Sequence, residues 1–214
     1  MTIKQKSEKV YEQLKKLYPD AECSLCHDGD PWKLLVMARL SAQCTDARVN
    51  IVSETLFEEI PDVYAMADSP LERVEQLIKS CGLYRTKAKS LVEMSKQLIE
   101  NFDGRVPEDF ESLMSLSGVG SKIANLVLGD VFGKGGIVAD THCIRITNRL
   151  GLVKGEGQRI VERTLDPIVP KNVQSDFCHM IVYFGRDICT ARNPRCDDCP
   201  MKNEKLCKGI AKSK

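Results

Sequence analysis

The sequence has no long apolar run and almost no net charge, and each absence excludes a class of function. No stretch approaches the ~20 consecutive apolar residues that a membrane-spanning helix needs. The first residues, Met1 to Tyr11, are charged and polar, so we expect no secretory signal. Because 31 basic residues are balanced by 30 acidic ones, a nucleic-acid-binding surface has to be a local patch. We therefore expect a cytoplasmic protein without a membrane partner.

Strand-like alternation of apolar and polar residues is absent too, and so are internal repeats and low-complexity segments. Hydrophobic residues make up 43% of the 214 residues, which is enough for a sizeable core. The apolar positions recur at helical spacing, as in Val10, Leu14 and Leu17. The sequence therefore predicts an all-α fold, as one large domain or two intertwined lobes.

Local capping residues predict where several helices begin. Asp30 followed by Pro31 is typical of an N-cap and a first-turn proline. The helix they open is apolar on most sides through Leu40, so we expect it to be buried. Ser69 and Glu72 predict a capping box at the start of another helix.

A turn with two glycines lies between two predicted helices. Gly118 and Gly120 allow positive φ angles and let a ligand approach the backbone closely. The next helix starts at Ser121, so its free N–H groups and positive dipole end face the same place. This arrangement predicts a site for one phosphate, with a plain helical hairpin as the alternative.

Lys122 and Asp140 are the candidate catalytic pair. Lys122 lies in the first turn of the second helix, where a cation opposes the helix dipole but an unprotonated, nucleophilic amine is favoured. Asp140 predicts the N-cap of a helix through Arg149. A capped carboxylate can stabilise positive charge that grows on a sugar as its base leaves. The alternatives are a solvated lysine and a purely structural cap, and we interpret His142 as structural.

Four of the ten cysteines lie in the last 26 residues, with six, two and seven residues between them. Four thiolates in one loop can hold zinc or an iron–sulfur cluster. A zinc ribbon usually has two CxxC pairs and only one is present, so the spacing favours the cluster. These residues are Cys189, Cys196, Cys199 and Cys207. Of the other six, Cys23 and Cys26 have a CxxC spacing and are interpreted as unpaired thiols. The rest are interpreted as small core residues: Cys44, Cys81, Cys143 and Cys178.

Three arginines surround the first tail cysteine, and guanidinium groups suit phosphate. They are Arg186, Arg192 and Arg195, and they predict the local basic patch that the net charge hides. A solvated basic loop without a ligand is the alternative.

Several motifs, all in one order, resemble the endonuclease III family of helix-hairpin-helix DNA glycosylases, and the resemblance covers essentially the whole chain. They are LSAQCTD at 40–46, GLY at 82–84, LSGVGSKIA at 116–124, VADTH at 138–142, HMIVYFGRDIC at 179–189 and the tail cysteines. The resemblance implies a two-lobed fold, with a six-helix barrel lobe at 24–134 that contains the hairpin. Residues 1–23 and 135–214 would form an iron–sulfur cluster lobe, with DNA in the cleft between the lobes.

The resemblance also implies the role of each site residue. Lys122 matches the lysine that forms a Schiff base, and Asp140 the catalytic aspartate. Gln43 matches the residue that fills the gap left by a flipped nucleotide, and Leu83 the wedge against the opposite strand. From the residues alone, Leu83 is a core residue at a helix end and Gln43 a polar loop residue. Gly118, Val119 and Gly120 would anchor a DNA phosphate.

The family carries a [4Fe–4S] cluster on such a cysteine loop, and the resemblance implies the same cofactor here. One departure is the last gap, which is usually five residues in the family and is seven before Cys207. Cys207 is nevertheless the expected fourth ligand, because it is the one cysteine that follows Cys199.

The resemblance implies a bifunctional enzyme of base excision repair. It would remove oxidised pyrimidines and cleave 3′ to the abasic site by β-elimination, as a nucleoid-associated monomer on double-stranded DNA with damaged bases or abasic sites. One alternative is a monofunctional mismatch glycosylase, although adenine-removing relatives lack the lysine that Lys122 provides and carry an extra C-terminal domain. Another is a non-catalytic protein that binds abasic DNA.

Overall fold

The computed structural model describes residues 1–209; residues 210–214, the end of the predicted cluster lobe, lie outside them. The chain divides into two compact units. Cys23–Phe132 form one, here called the hairpin unit, and Met1–Glu22 with the chain from Gly133 onwards form the other, the cysteine unit. The boundaries predicted from the sequence lie after residues 23 and 134, one and two residues further along the chain.

Every regular element of residues 1–209 is helical, which confirms the predicted all-α class. In the hairpin unit the helices are α2 (Pro31–Leu40), α3 (Asp46–Glu59), α4 (Val63–Asp68), α5 (Leu71–Leu77), α6 (Tyr84–Phe102), α7 (Phe110–Ser115) and α8 (Ser121–Asp130). In the cysteine unit they are α1 (Ile3–Leu17), α9 (Thr141–Arg149), α10 (Gln158–Leu165), α11 (Gln174–Asp187) and α12 (Pro200–Asn203). None of the helices in this range is both long and apolar enough to cross a bilayer.

Helix α2 is the centre of the hairpin unit, as its apolar sequence predicts. The Asp30 carboxylate caps it by accepting from the N–H groups of Trp32 and Lys33 at 2.8 and 3.1 Å. Seven of its ten side chains are buried, so the helix is surrounded by its neighbours on most sides. Because α2 ends at Leu40 in the middle of this core, the loop that follows it starts from a rigid base.

The capping box predicted at Ser69 is wrong. The Ser69 hydroxyl donates to the carbonyl of Ala65 at 2.7 Å, so it serves the end of α4. Helix α5 begins after Pro70 without a side-chain cap. The predicted six-helix lobe contains seven α-helices in this fully described unit because the segment before Gly82 breaks at Pro70 into α4 and α5.

The cysteine unit has a separate apolar core. Its α1 contributes Val10 and Leu14, both fully buried, and its α11 contributes Phe177 and Phe184. All ten cysteines of the chain are unpaired thiols within the described residues. Outside the tail, the predicted core position holds for the buried residues Cys81, Cys143 and Cys178, whereas Cys23 and Cys44 are half-buried and Cys26 is exposed.

Candidate DNA-repair site

The turn between α7 and α8 requires glycine at its second position. The Val119 N–H donates to the carbonyl of Leu116 at 3.1 Å, which closes the turn. Gly118 has φ +78°, and a Cβ there would lie 2.6 Å from Arg39 Nε. A side chain is therefore excluded both by the left-handed backbone and by the arginine beneath it.

The hairpin is held to the core at both sides of this glycine. The Ser117 N–H donates to Gln97 Oε1, on α6, at 2.7 Å. Val119 is only 7% exposed, so its side chain belongs to the core and only its backbone is available to a ligand. The turn is thus a rigid, exposed piece of backbone.

The start of α8 offers N–H groups to a ligand. Gly120 is the N-cap, and no side chain in the described structure supplies a capping hydrogen bond there. A Cβ on Gly120 would meet no atom within 4 Å, so the space in front of it is open. Lys122, the second residue of α8, is exposed beside this space. A site for one phosphate at this helix start stays a prediction, which the open space and the uncapped N–H groups support.

Gln43 and Leu83 share an uncommon backbone conformation. Their φ angles are +55° and +46°, in the left-handed region that costs a non-glycine residue about 1–2 kcal/mol. Both side chains are exposed, and Leu83 is 56% exposed although it is a leucine at a helix start. The core position that the residues alone favour for Leu83 is therefore wrong. The surrounding structure has to hold both residues in place.

One buried residue near these loops was not found from the sequence. Lys87 is completely buried, and its ammonium group donates to the carbonyls of Leu40 and Cys81 at 2.7 Å each. Burial lowers its pKa, because the charged form loses its hydration. Burial and the adjacent Cys44 raise the pKa of Cys81 to about 11, so Cys81 packs here as a neutral thiol. In the sequence, Lys87 resembles any surface lysine of an amphipathic helix.

In the cysteine unit, Asp140 occupies the predicted capping position. Its carboxylate accepts from the Cys143 N–H at 2.7 Å, and α9 runs from the next residue to Arg149 as predicted. His142 Nδ1 lies 3.1 Å from the Arg145 guanidinium, as a structural histidine would. Asp140 is half-buried.

The four tail cysteines line one pocket, as their spacing predicts. These are Cys189, Cys196, Cys199 and Cys207. Apolar side chains, including Leu150, Phe184 and Met201, form part of the same wall. The pocket therefore combines the four cysteines with partly apolar walls.

The long gap before Cys207 is taken up by a short helix and a tight turn. Helix α12 (Pro200–Asn203) occupies four of the seven residues of the gap, and Lys205 then turns the chain with φ +58°. The N–H groups of Leu206 and Cys207 both donate to the carbonyl of Met201, at 2.8 and 2.9 Å. Cys207 thus returns to the pocket despite the two additional residues.

Two family models match the chain. Residues 36–171 match the HhH-GPD superfamily base excision DNA repair protein. Residues 189–204 match the iron-sulfur binding domain of endonuclease III. The first match alone covers more than half of the chain.

Similar proteins extend this likeness to nearly the full length. Endonuclease III of Synechocystis sp. is 43% identical over 92% of this chain and 90% of its own. Endonuclease III of Bacillus subtilis is 44% identical over 89% and 87%. A solved structure of a trapped endonuclease III–DNA covalent intermediate, an estranged-adenine complex, has a TM-score of 0.90 and 41% identity over 97% of each chain.

The chain belongs to the endonuclease III family. It is a bifunctional DNA glycosylase and abasic-site lyase of base excision repair. The family's cofactor is the [4Fe–4S] cluster, which this chain carries as well.

The sulfur-lined pocket fits this cofactor. Besides four thiols and apolar walls, it has N–H donors aimed at sulfur, which stabilise thiolates. The Gly209 N–H donates to Cys207 Sγ and Arg149 Nη1 to Cys189 Sγ, each at 3.4 Å. The matched iron–sulfur segment ends at residue 204, so Cys207 as fourth ligand stays a prediction that the shared pocket supports.

Two arginines that hold the cysteine loop were not found from the sequence. Arg145 donates to the carbonyl of Cys189 at 3.0 Å. Arg149 donates to the carbonyls of Thr190 and Ala191 at 2.7 and 2.8 Å. These bonds link the last turns of α9 to the loop that begins at the first cluster cysteine, about 40 residues away. In the sequence, only the position of the two arginines on one face of an amphipathic helix could have suggested this role.

The three predicted phosphate-binding arginines are all exposed, but they are not equivalent. Arg195 forms an ion pair with Asp187, which also accepts from the Tyr18 hydroxyl at 3.0 Å. Burial, together with the hydrogen bond to Asp187, raises the pKa of Tyr18. Part of the charge of Arg195 is thus already neutralised, whereas Arg192 lies at the exposed tip of the loop. Arg186, on α11, is exposed as well.

Proposed function

We propose that Lys122 is the nucleophile of this enzyme and that Asp140 supports it. The observation that carries this assignment is the exposed Lys122 in the first turn of α8, directly after an uncapped glycine turn, in a chain of this family. The N–H groups of the turn and of the helix start bind one phosphate of the damaged strand, which brings the adjoining sugar to the amine.

The reaction then follows from the chemistry of a primary amine at a sugar. Lys122 Nζ bonds to C1′, the glycosidic bond breaks, and its electron pair leaves with the base, which takes up a proton. Opening of the sugar ring gives a protonated Schiff base. Loss of a proton from C2′ then drives the 3′ phosphate out by β-elimination, which cuts the strand.

Asp140 stabilises the positive charge that develops at C1′ as the base departs. Its carboxylate is fixed by the Cys143 N–H and stays half-exposed, so it can face a substrate without reorienting. It also assists proton transfer to and from the attacking amine.

The substrate is double-stranded DNA with an oxidised pyrimidine or an abasic site, and the enzyme acts on it as a monomer at the nucleoid. The base has to leave the stack before C1′ is accessible, so the vacated space must be filled. Gln43 fills it and bonds the orphaned base, while the exposed Leu83 replaces lost stacking. The cluster fixes the loop that presents Arg192 to the DNA backbone. Ten unpaired cysteines are in keeping with a reducing cytoplasm.

Borohydride trapping tests the assignment directly. The enzyme would be incubated with duplexes that carry thymine glycol, dihydrouracil, uracil, oxoguanine or an abasic site. We expect a covalent adduct with the oxidised pyrimidines and the abasic site. Lys122→Gln should lose the adduct completely, whereas Lys96→Gln, an exposed lysine of α6 in the same unit, should retain it.

Each alternative has a distinct outcome. Base release without an adduct would indicate a monofunctional glycosylase. Binding to the abasic duplex with neither base release nor an adduct would indicate a non-catalytic protein. An adduct that persists in Lys122→Gln would assign the nucleophile to another amine.

A further inference from the structure

The buried Lys87 connects two loops that are distant in sequence. A fully buried ammonium group is uncommon and needs acceptors in place of water. Both acceptors of Lys87 are backbone carbonyls, of Leu40 and Cys81, at 2.7 Å. The contact to Leu40 spans 47 residues of sequence.

These carbonyls lie at the bases of the loops that carry Gln43 and Leu83. Leu40 is the last residue of α2, three residues before Gln43, and Cys81 is two residues before Leu83. The backbone N–H of Lys87 also donates to the carbonyl of Leu83, at 3.0 Å. One residue therefore holds the base of both loops.

Both loop residues need such support, because each has an unfavourable left-handed backbone and an exposed side chain. A strained conformation persists only where its surroundings determine it. Neither exposed side chain is fixed by burial, so the fixed points have to be backbone groups at the loop bases. The two carbonyls bound by Lys87 are such points.

The same network reaches the glycine hairpin. The Ser90 hydroxyl donates to the carbonyl of Lys87 at 2.9 Å and accepts from Arg39 Nε at 2.8 Å. Arg39 in turn lies directly beneath Gly118. Three exposed segments of the hairpin unit thus lie against one partly buried polar network.

We propose that Lys87 is a positioning residue, which fixes the loops of Gln43 and Leu83 relative to each other so that both side chains enter the duplex together. The inference rests on the proposed roles of those two residues. A purely structural lysine would stabilise the unit whatever the substrate. A positioning lysine matters only where a duplex must be opened.

Single-stranded abasic DNA separates the two roles. It has no partner strand to wedge and no orphaned base to bond, but it still presents C1′ to Lys122. Lys87→Met keeps the aliphatic stem and removes the donor. In single-turnover assays we expect excision from a thymine glycol duplex to fall by about tenfold or more. Borohydride trapping on the single strand should stay within about twofold of wild type, since the chemistry itself is intact.

Lys89→Met is the matched control, since Lys89 is exposed on the same helix two residues further on. It should change neither activity. Lys87→Gln keeps an N–H donor group on a shorter side chain, so it should recover part of the duplex activity. It also continues the test if thermal melting shows that Lys87→Met does not fold.

An equal fall on duplex and single strand would overturn the proposal, because it would show a general structural role. Unchanged duplex excision would overturn it as well. Failure of the underlying enzyme assignment looks different, since wild type would then give no adduct or Lys122→Gln would still give one.

Discussion

Helix α2 of the hairpin unit buries seven of its ten side chains, whereas the twenty residues 190–209 of the cysteine unit bury three, Cys199, Met201 and Leu206. The hairpin unit can therefore position exposed residues from a packed core, with loops that leave its helices at fixed points. The cysteine loop has too little apolar contact for that. It depends on sulfur ligands and on carbonyls bound by Arg145 and Arg149.

The difference indicates two ways to keep the proposed DNA-binding residues in place. In the hairpin unit the apolar core fixes the helices, and buried polar groups such as Lys87 adjust the geometry of individual loops. In the cysteine loop, residues 189–207, a cofactor takes the place of apolar packing, as metal sites do in small domains. Substitutions in the two units should consequently impair the protein in different ways.

The largest effect should come from removing the charge of Asp140 without removing its cap. Asparagine caps a helix about as well as aspartate, so Asp140→Asn should barely change the melting temperature. Base excision in single-turnover assays should fall by about 10²–10⁴-fold, because the developing charge at C1′ loses its partner. A loss of stability that matches the loss of activity would instead make Asp140 a structural residue of the cysteine unit.

Removal of the fourth cysteine should disrupt the cysteine unit alone. We expect Cys207→Ala to lose most of its iron and its visible absorption, and to bind DNA weakly because the loop is no longer fixed. Cys178→Ala is the control: it is buried in the same unit but outside the pocket, and should keep the cluster at a cost of about 1 kcal/mol. Full iron content in Cys207→Ala would mean that another group completes the site.

The two glycines of the hairpin should separate folding from binding. Gly118→Ala introduces a side chain at φ +78° against Arg39, so unfolding free energy should fall by about 1 kcal/mol or more. Gly120→Ala extends into open space, so stability should change little. Affinity for abasic duplex should nevertheless fall about tenfold, because the methyl group occupies the phosphate position. Equal affinity in Gly120→Ala and wild type would place the phosphate elsewhere.

The smallest effect should come from the arginines of the cysteine loop. Arg192→Ala should weaken binding to all sequences and lower the salt dependence of log Kd by about one unit. Arg195→Ala should change this slope less, since Asp187 already pairs with Arg195. Titrations of undamaged duplex at several salt concentrations measure both. If Arg195→Ala lowers the salt dependence of log Kd more than Arg192→Ala does, the ion pair of Arg195 with Asp187 opens when DNA binds.

Features that depend on neighbouring residues alone can be predicted from the amino-acid sequence. Asp30 and Asp140 cap helices as predicted, because a cap needs only a side chain and N–H groups two or three residues away. The cysteine spacing likewise predicts a shared pocket, since ligands of one loop have little freedom to be elsewhere. Ser69 shows the limit of such patterns: its hydroxyl had two possible helix ends to serve, and it serves the preceding one.

The residues that support the site through long-range contacts could not be predicted in this way. The exposed Leu83 and the buried Lys87 both contradict what their residue types suggest, and each lies where contacts distant in sequence place it. Arg149 likewise binds carbonyls about 40 residues further along the chain. No local pattern encodes such partners, because the hydrogen bonds form only after separate helices have packed and excluded the water that would otherwise satisfy each group.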